Sequence, residues 1–164
     1  MYDRILVPTD GSAETERAVA HAADLATAHD AELHAVYVVD AATFAGLPME
    51  ASWDGITETL HGEGEAALER VESIADDRGV AVTTHLLEGS PSKRIVQWAE
   101  GEDCDLVVMG THGRGGIDRL LLGSVAERVV RACKVPVLTV RVGDDEETPT
   151  ASEASAETES AVVE

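Results

Sequence analysis

The chain has 164 residues and a mass of 17.3 kDa, the size of one domain long enough to bury a real core. Hydrophobic residues make up 44% of it, too many for a wholly disordered chain, and no apolar run approaches the roughly 18 residues that a membrane span needs. Twelve basic residues stand against 32 acidic ones, a net charge of −20, so the Lys and Arg clusters that neutralise phosphates are missing and nucleic acid is not expected as a partner.

Residues 4–8, Arg4-Ile5-Leu6-Val7-Pro8, read as a short apolar strand stopped by Pro8, Thr9, Asp10 and Gly11. A helix follows over 12–28. Its Glu14 and Glu16 lie where the N-terminal dipole favours anions, and Ala18, Val19, Ala22, Ala23 and Ala26 form a face small enough to sit close to a sheet. Residues 33–39 are a second strand, ended by Asp40. The stretch 41–56 holds Gly46, Pro48 and Gly55 among scattered apolar residues and reads as irregular, a candidate mobile flap.

Over 57–78, Leu60, Ala67, Leu68, Val71 and Ile74 mark a second helix with Gly79 as its stop signal. Residues 80–87 are a third strand. In Gly89-Ser90-Pro91, Ser90 suits a cap and Pro91 the first position of a helix carrying Ile95, Val96, Trp98 and Ala99. Residues 105–109 form a fourth strand whose Leu106-Val107-Val108 is apolar on both faces, as in a covered parallel sheet. A glycine-rich loop, 110–116, leads on to a helix over 124–133 with Val125, Val129 and Cys133 at spacing four, and to a fifth strand over 135–142.

This alternation of strand and helix builds an α/β fold, a single open five-stranded parallel sheet flanked by helices, over residues 1–143. Residues 144–164 differ. They hold eight acidic residues and no basic one, with Ala, Ser, Thr and Pro149, so residues 1–143 carry the remaining −12. Such a segment buries too little apolar surface to offset its ordering entropy and reads as a disordered acidic tail. The overall charge suits a medium where salt shortens the Debye length to about 3 Å at 1 M, and a halophilic source is expected. No charged leader, long apolar stretch and cleavage site open the chain, and a cytoplasmic location is expected. Cys104 and Cys133, 29 positions apart and without a C-x-x-C, read as small buried hydrophobes.

Ligands of open parallel sheets bind beyond the carboxyl ends of the strands, where loops meet helix N-termini. Two such ends stand out: Pro8-Thr9-Asp10-Gly11 after the first strand, and Gly110-Thr111-His112-Gly113-Arg114-Gly115-Gly116 after the fourth. Four glycines in seven residues let backbone N–H groups approach a ligand, Gly123-Ser124 opens a helix with a positive dipole end, and Arg114 adds a fork of donors. That combination reads as a phosphate cradle. Each part also has a plainer explanation: glycines make turns, Ser124 with Glu127 fits a capping box, and His112 fits an exposed loop. No G-x-x-x-x-G-K-[ST] is present, and Gly113-x-Gly115-x-x-Asp118 breaks the dinucleotide fingerprint, which disfavours a P-loop enzyme or a Rossmann dehydrogenase.

At these residues the chain resembles the universal stress proteins. Gly110-x-x-Gly113, nine residues, then Gly123-Ser124 reproduces the G-2x-G-9x-G-[S/T] pattern of the family's ATP-binding branch. Val7-Pro8-Thr9-Asp10-Gly11-Ser12, Gly89-Ser90-Pro91, Asp105-Leu106-Val107-Val108-Met109-Gly110 and Pro136-Val137-Leu138-Thr139-Val140 extend the likeness across residues 3–142. The resemblance implies a Rossmann-like three-layer sandwich of the adenine nucleotide alpha hydrolase kind, with an adenine nucleotide (ATP, ADP or AMP) held between the two loop systems. It implies that Asp10, beside Pro8 and Thr9, lies near the ribose or a phosphate-bound Mg2+, that Val38 offers backbone groups and an apolar wall to adenine, and that Met109 and Gly110 line the sugar. Gly113, Gly115, Gly123, Ser124 and Val125 would then hold phosphates. Arg114 is not fixed in the family pattern, and its phosphate role follows from charge alone. Asp10 as a turn-closing cap weighs equally with Asp10 as a ligand contact.

No Ser/His/Asp elbow and no H-E-x-x-H is present, and His61-Gly62-Glu63 lacks a downstream P-C-x-x-C. The leading expectation is thus an ATP-binding stress-response regulator with slow hydrolysis at most. The alternatives are a slow ATPase or adenylate-forming enzyme, with Asp10 on Mg2+ and Ser124 or Arg114 on the transferred phosphate, and a nucleotide-independent dimeric interaction protein. A homodimer through the strand at 137–142 is expected, from its apolar, potentially unpaired edge and from the family resemblance.

Overall fold

The structure, a computed structural model, describes residues 1–44, 53–112 and 122–141. Gly113, Arg114 and Gly115, half of the irregular 41–56 stretch and the acidic tail lie outside the described residues. In chain order the elements are β1 (Arg4–Pro8), α1 (Ala13–His29), β2 (Glu32–Val39), a single 3-10 turn at Ala41–Phe44, α2 (Trp53–Asp76), β3 (Val82–Glu88), α3 (Pro91–Gly101), β4 (Leu106–Gly110), α4 (Ser124–Ala132) and β5 (Val137–Val140). All strand pairs are parallel, in the order β3-β2-β1-β4-β5. Among the described residues, no helix is long and apolar enough to cross a membrane.

Parallel neighbours need crossover helices, and these share one hand, so the chain must change sheet face when it changes direction. It runs outward from β1 to β3, then returns past β1 to β4 and β5. Two cores result. On one face, Val19, Ala22, Ala23 and Ala26 of α1 and Ala67, Leu68, Val71 and Ala75 of α2 pack on Ile5, Val7, Leu33, Ala35, Leu106 and Val108. On the other, Ile95 and Ala99 of α3 and Ala126 and Val129 of α4 pack on Leu6, Val36, Val107 and Met109. The alternation of strand side chains between the two sets is the period-2 pleat read directly from contacts. Ile5, Leu6 and Val7 have no exposed surface, because β1 is covered above, below and on both edges.

Several sequence boundaries shift. The second helix begins at Trp53, four residues before expected, despite Gly55, Gly62 and Gly64 in its first half. Tertiary packing overrides the low helical propensity of those glycines. At Gly79 the chain turns with φ +69°, as the stop signal required. The Ser124–Glu127 capping box is corrected: the N-cap is Gly123, with extended backbone, and Ser124 is the first helical residue. Ser90 does occupy the N-cap of α3, without a side-chain cap hydrogen bond. Strand β5 is shorter than the 135–142 expected. Cys104 is buried, Cys133 half-buried, and both are free thiols. Burial pushes the Cys104 thiol up to about 12, which leaves it an inert hydrophobe.

Two glycines of α2 separate packing from propensity. A Cβ on Gly64 would stand 2.5 Å from Leu86 Cδ1 and 2.8 Å from Tyr37 Cδ1, whereas one on Gly62 would meet nothing within 4 Å. Gly62→Ala is therefore expected to stabilise the fold by up to about 1 kcal/mol. Gly64→Ala must set a similar helical gain against overpacking of about 1–3 kcal/mol and is expected to fall below the parent. Urea midpoints check the order.

Candidate functional site

The reversal of direction falls between β1 and β4, and their carboxyl ends part to give the two loops singled out by sequence. The β1–β4 register runs through Ile5↔Leu106 and Leu6↔Val107, after which the chain from β1 enters α1 on one face and the chain from β4 goes on to α4 on the other. A crevice at such a switch point is the place where parallel sheets bind ligands.

The loop after β1 is built around Thr9 and Asp10. Thr9 is 9% exposed; its N–H donates to the Val36 carbonyl at 2.9 Å, and its hydroxyl accepts from Gly11 N–H at 3.1 Å and meets Thr15 Oγ1 at 3.1 Å. These bonds commit the Thr9 side chain to the turn. Asp10 Oδ1 accepts from Ser12 N–H at 2.9 Å, from Ser12 Oγ at 2.5 Å and from Thr15 Oγ1 at 3.3 Å. This Asx-type closure lets the chain enter α1 without a side-chain cap from Ser12 itself. Gly11, at φ +77°, supplies the left-handed step that the closure needs. The turn-closing role weighed for Asp10 is thus present in the geometry.

Sequence reasoning missed Arg70. From α2 its Nη2 donates to the Gly11 carbonyl at 2.6 Å and ties the loop to the second helix. In the sequence it is one arginine among Glu63, Glu65, Glu69 and Glu72, with nothing to distinguish it from a solvated face.

On the other side, Thr111 N–H continues the β4–β5 ladder to Val140 O at 3.0 Å, and Gly123 N–H donates to Thr111 O at 2.7 Å. The start of α4 is thereby stitched to the end of β4. The first intrahelical bond runs from Glu127 N–H to Gly123 O at 2.9 Å, so the N–H groups of Ser124, Val125 and Ala126 are those that a helix start leaves without an intrahelical acceptor. Ser124 is exposed and Val125 half-buried. With φ −61°, Gly123 has a backbone open to any residue, so what glycine adds there is room. His112 is half-buried, not exposed as expected, and its Nδ1 lies 3.0 Å from Thr111 Oγ1.

Three apolar positions flank the crevice on the α3/α4 face. Val38 is half-buried against that core, Met109 is 6% exposed within it, and Pro8 shares the face of Leu6 by strand alternation. Gly110 is buried at the end of β4. Pro8, Thr9, Asp10, Val38, Met109, Gly110, Gly123, Ser124 and Val125 are thus all set at the carboxyl ends of strands or at the start of α4.

Comparison with known proteins gives a consistent family. Residues 1–141 match the model of the universal stress protein family. Universal stress protein MJ0531 of Methanocaldococcus jannaschii is 48% identical over 141 residues, 86% of this chain and 83% of that one. Among solved structures, hypothetical protein MJ0577 of the same organism superposes with a TM-score of 0.75 at 30% identity, covering 88% of this chain and 99% of that one. A universal stress protein in complex with cAMP superposes with a TM-score of 0.66 at 28% identity, covering 87% and 98%.

The Asp10 network generates its own test. Asp10→Ala removes the acceptor for three donors and is expected to cost about 1–2 kcal/mol, the range for a lost helix-start cap, whereas Asp10→Asn keeps an oxygen in place and is expected to stay near the parent. Thermal unfolding of the two variants beside the parent checks the difference.

Proposed function

The chain belongs to the universal stress protein family, and we propose that it acts as an adenine-nucleotide-binding regulator that holds ATP between the β1 and β4 loops and changes partner or conformation with nucleotide state, with slow hydrolysis at most. The observation that carries this reading is the crevice at the β1/β4 reversal, with an apolar shelf on one side and the start of α4 on the other. Val38, Pro8 and Met109 suit a flat apolar base. The N–H groups of Ser124 and Val125 and the Ser124 hydroxyl suit phosphate oxygens. A similar protein of the family is known in complex with cAMP, which supports adenine as the base.

Gly113, Arg114 and Gly115 complete the proposed cradle between Gly110 and Gly123. Because Gly123 N–H is directed to Thr111, its proposed part is to give the outer phosphates room, and the donors follow it in sequence. A Mg2+ ion fits the chemistry of Asp10 as a single carboxylate acting together with nucleotide phosphates, the usual way this ion is held. Among the described residues no group of three or more His, Cys, Asp or Glu side chains is placed to hold a metal alone. When bound, Mg2+ would neutralise phosphate charge; Asp10 would hold it and the start of α4 would hold the phosphates.

The decisive experiment is to denature the purified protein and identify released nucleotide by mass, then to measure ATP binding by calorimetry. Ser124→Ala is expected to weaken ATP by about 1–3 kcal/mol, the range for a hydrogen bond to a charged group. Gly123→Val is expected to abolish binding while the fold survives; parental affinity in that variant would remove the phosphate cradle from this place.

A homodimer through β5 is also proposed. Among the described residues the strand stands at the sheet edge, with Val137, Leu138, Thr139 and Val140 half-buried, and an edge with such apolar neighbours invites pairing with a second copy. Light scattering is expected to give a dimer for the parent and a monomer for Val140→Lys.

A further inference from the structure

Away from the crevice, on the α3 face, two histidines meet across β2 and β3. His34 Nδ1 lies 3.1 Å from His85 Nε2, and the ring centroids are 5.4 Å apart with 19° between planes. A centroid separation of this size leaves just one ring radius beyond each nitrogen, so the two nitrogens lie on the line joining the centroids. The rings therefore meet edge to edge, and their facing lone-pair positions point at each other. That geometry is a direct N–H···N bond. It gives a metal ion no common point of coordination.

Trp98 of α3 covers the pair, its ring centroid 5.3 Å from His34 and 4.7 Å from His85. His34 Nε2 is buried without a hydrogen bond and has Glu32 Oε2 at 3.5 Å. Glu32 in turn receives Arg4 Nε at 3.0 Å and Nη2 at 2.9 Å, while Arg4 Nη1 donates to the Glu102 carbonyl just past α3. The charged groups around the pair are then Glu32 on β2, Arg4 on β1 and Glu102 at the end of α3. Either ring can supply the proton of this bond, and in both cases one N–H and one lone pair face each other between His34 Nδ1 and His85 Nε2. A first added proton, taken by a ring nitrogen outside the contact, leaves the bond between rings intact. A second must enter the contact itself, where N–H would oppose N–H across 3.1 Å.

We propose that His34 and His85 form a one-proton latch that fastens the β3 edge and α3 to the middle of the sheet and releases when both rings become charged. Burial first, and then the neighbouring His34, hold His85 below the ordinary histidine value, with Glu102 opposing. The sign follows. An unfolded chain takes a proton on each ring as pH falls through about 6.5, while the folded pair accepts one and resists the other. Stability is therefore full above that pH and is lost below it, by up to about tenfold in the folding equilibrium constant per pH unit.

The test is urea unfolding at fixed salt from pH 8 to 5, for the parent and for His85→Gln. Below pH 6.5 the parent is expected to lose stability more steeply, by about tenfold per unit at most, and hydrogen exchange is expected to quicken first in β3 and α3. Parallel pH profiles for the two proteins would overturn the latch. Ring titration of the parent by NMR decides independently of any variant's folding: one proton taken up by the pair between pH 7.5 and 5.5 supports it, and two taken up with the fold intact overturn it.

Discussion

Covering both faces of a parallel sheet is the constraint from which the rest of this molecule follows. No strand here can return by a hairpin, so each pays for its neighbour with a crossover helix. Because β1 lies at the centre, its neighbours β2 and β4 are reached by crossings on opposite faces. Around the central strand the sheet is thereby covered on both faces, and the two connections diverge at the carboxyl ends beside β1. The crevice is a topological remainder, and the side chains around it were placed by packing before any ligand chemistry applies. Thr9, Asp10 and Thr15 close one wall with hydrogen bonds among themselves, and Gly123 closes the other against Thr111.

With 32 acidic residues and 12 basic ones, each arginine matters. Several of them bind backbone carbonyls as well as carboxylates. Arg4 joins Glu32 and the Glu102 carbonyl, Arg70 takes the Gly11 carbonyl, and Arg78 takes the Ile74 carbonyl along with Asp24. Exposed ion pairs contribute little and are screened by salt. The carbonyl contacts of Arg4 and Arg70 tie one element to another without depending on a balance of surface charges, which suits a surface where anions are in excess.

The strands were legible because burial on both faces writes unbroken apolar runs such as Leu106-Val107-Val108 into the chain. The small-residue face of α1 was equally plain. What escaped was decided by contacts between distant segments. The close approach of Gly64 in α2 to Tyr37 and Leu86 joins segments that local propensity does not connect. Asp10 announced its turn through Asp-Gly-Ser, whereas Arg70 reaches the same loop from 59 positions away. His34 and His85, 51 positions apart, meet only because register places β2 beside β3. Ser124 shows the finer limit: its motif was recognised, but the cap fell one residue earlier.

At the opposite end of the strands, Asp105 Oδ2 accepts the N–H groups of both Asp3 and Arg4 at 2.8 Å, and Asp105 N–H returns a bond to the Arg4 carbonyl at 2.9 Å. These bonds hold the Asp105 carboxyl below its usual range and span about a hundred residues. Their consequence is an order of assembly. The units joining β1 to β2 and β2 to β3 close over short separations, whereas the seam between β1 and β4 must wait for a contact that is slow because it is distant. Until then the central strand is an open edge carrying Ile5, Leu6 and Val7, and the crevice does not exist. The step that completes the crevice is therefore the same step that covers the apolar edge of Ile5, Leu6 and Val7.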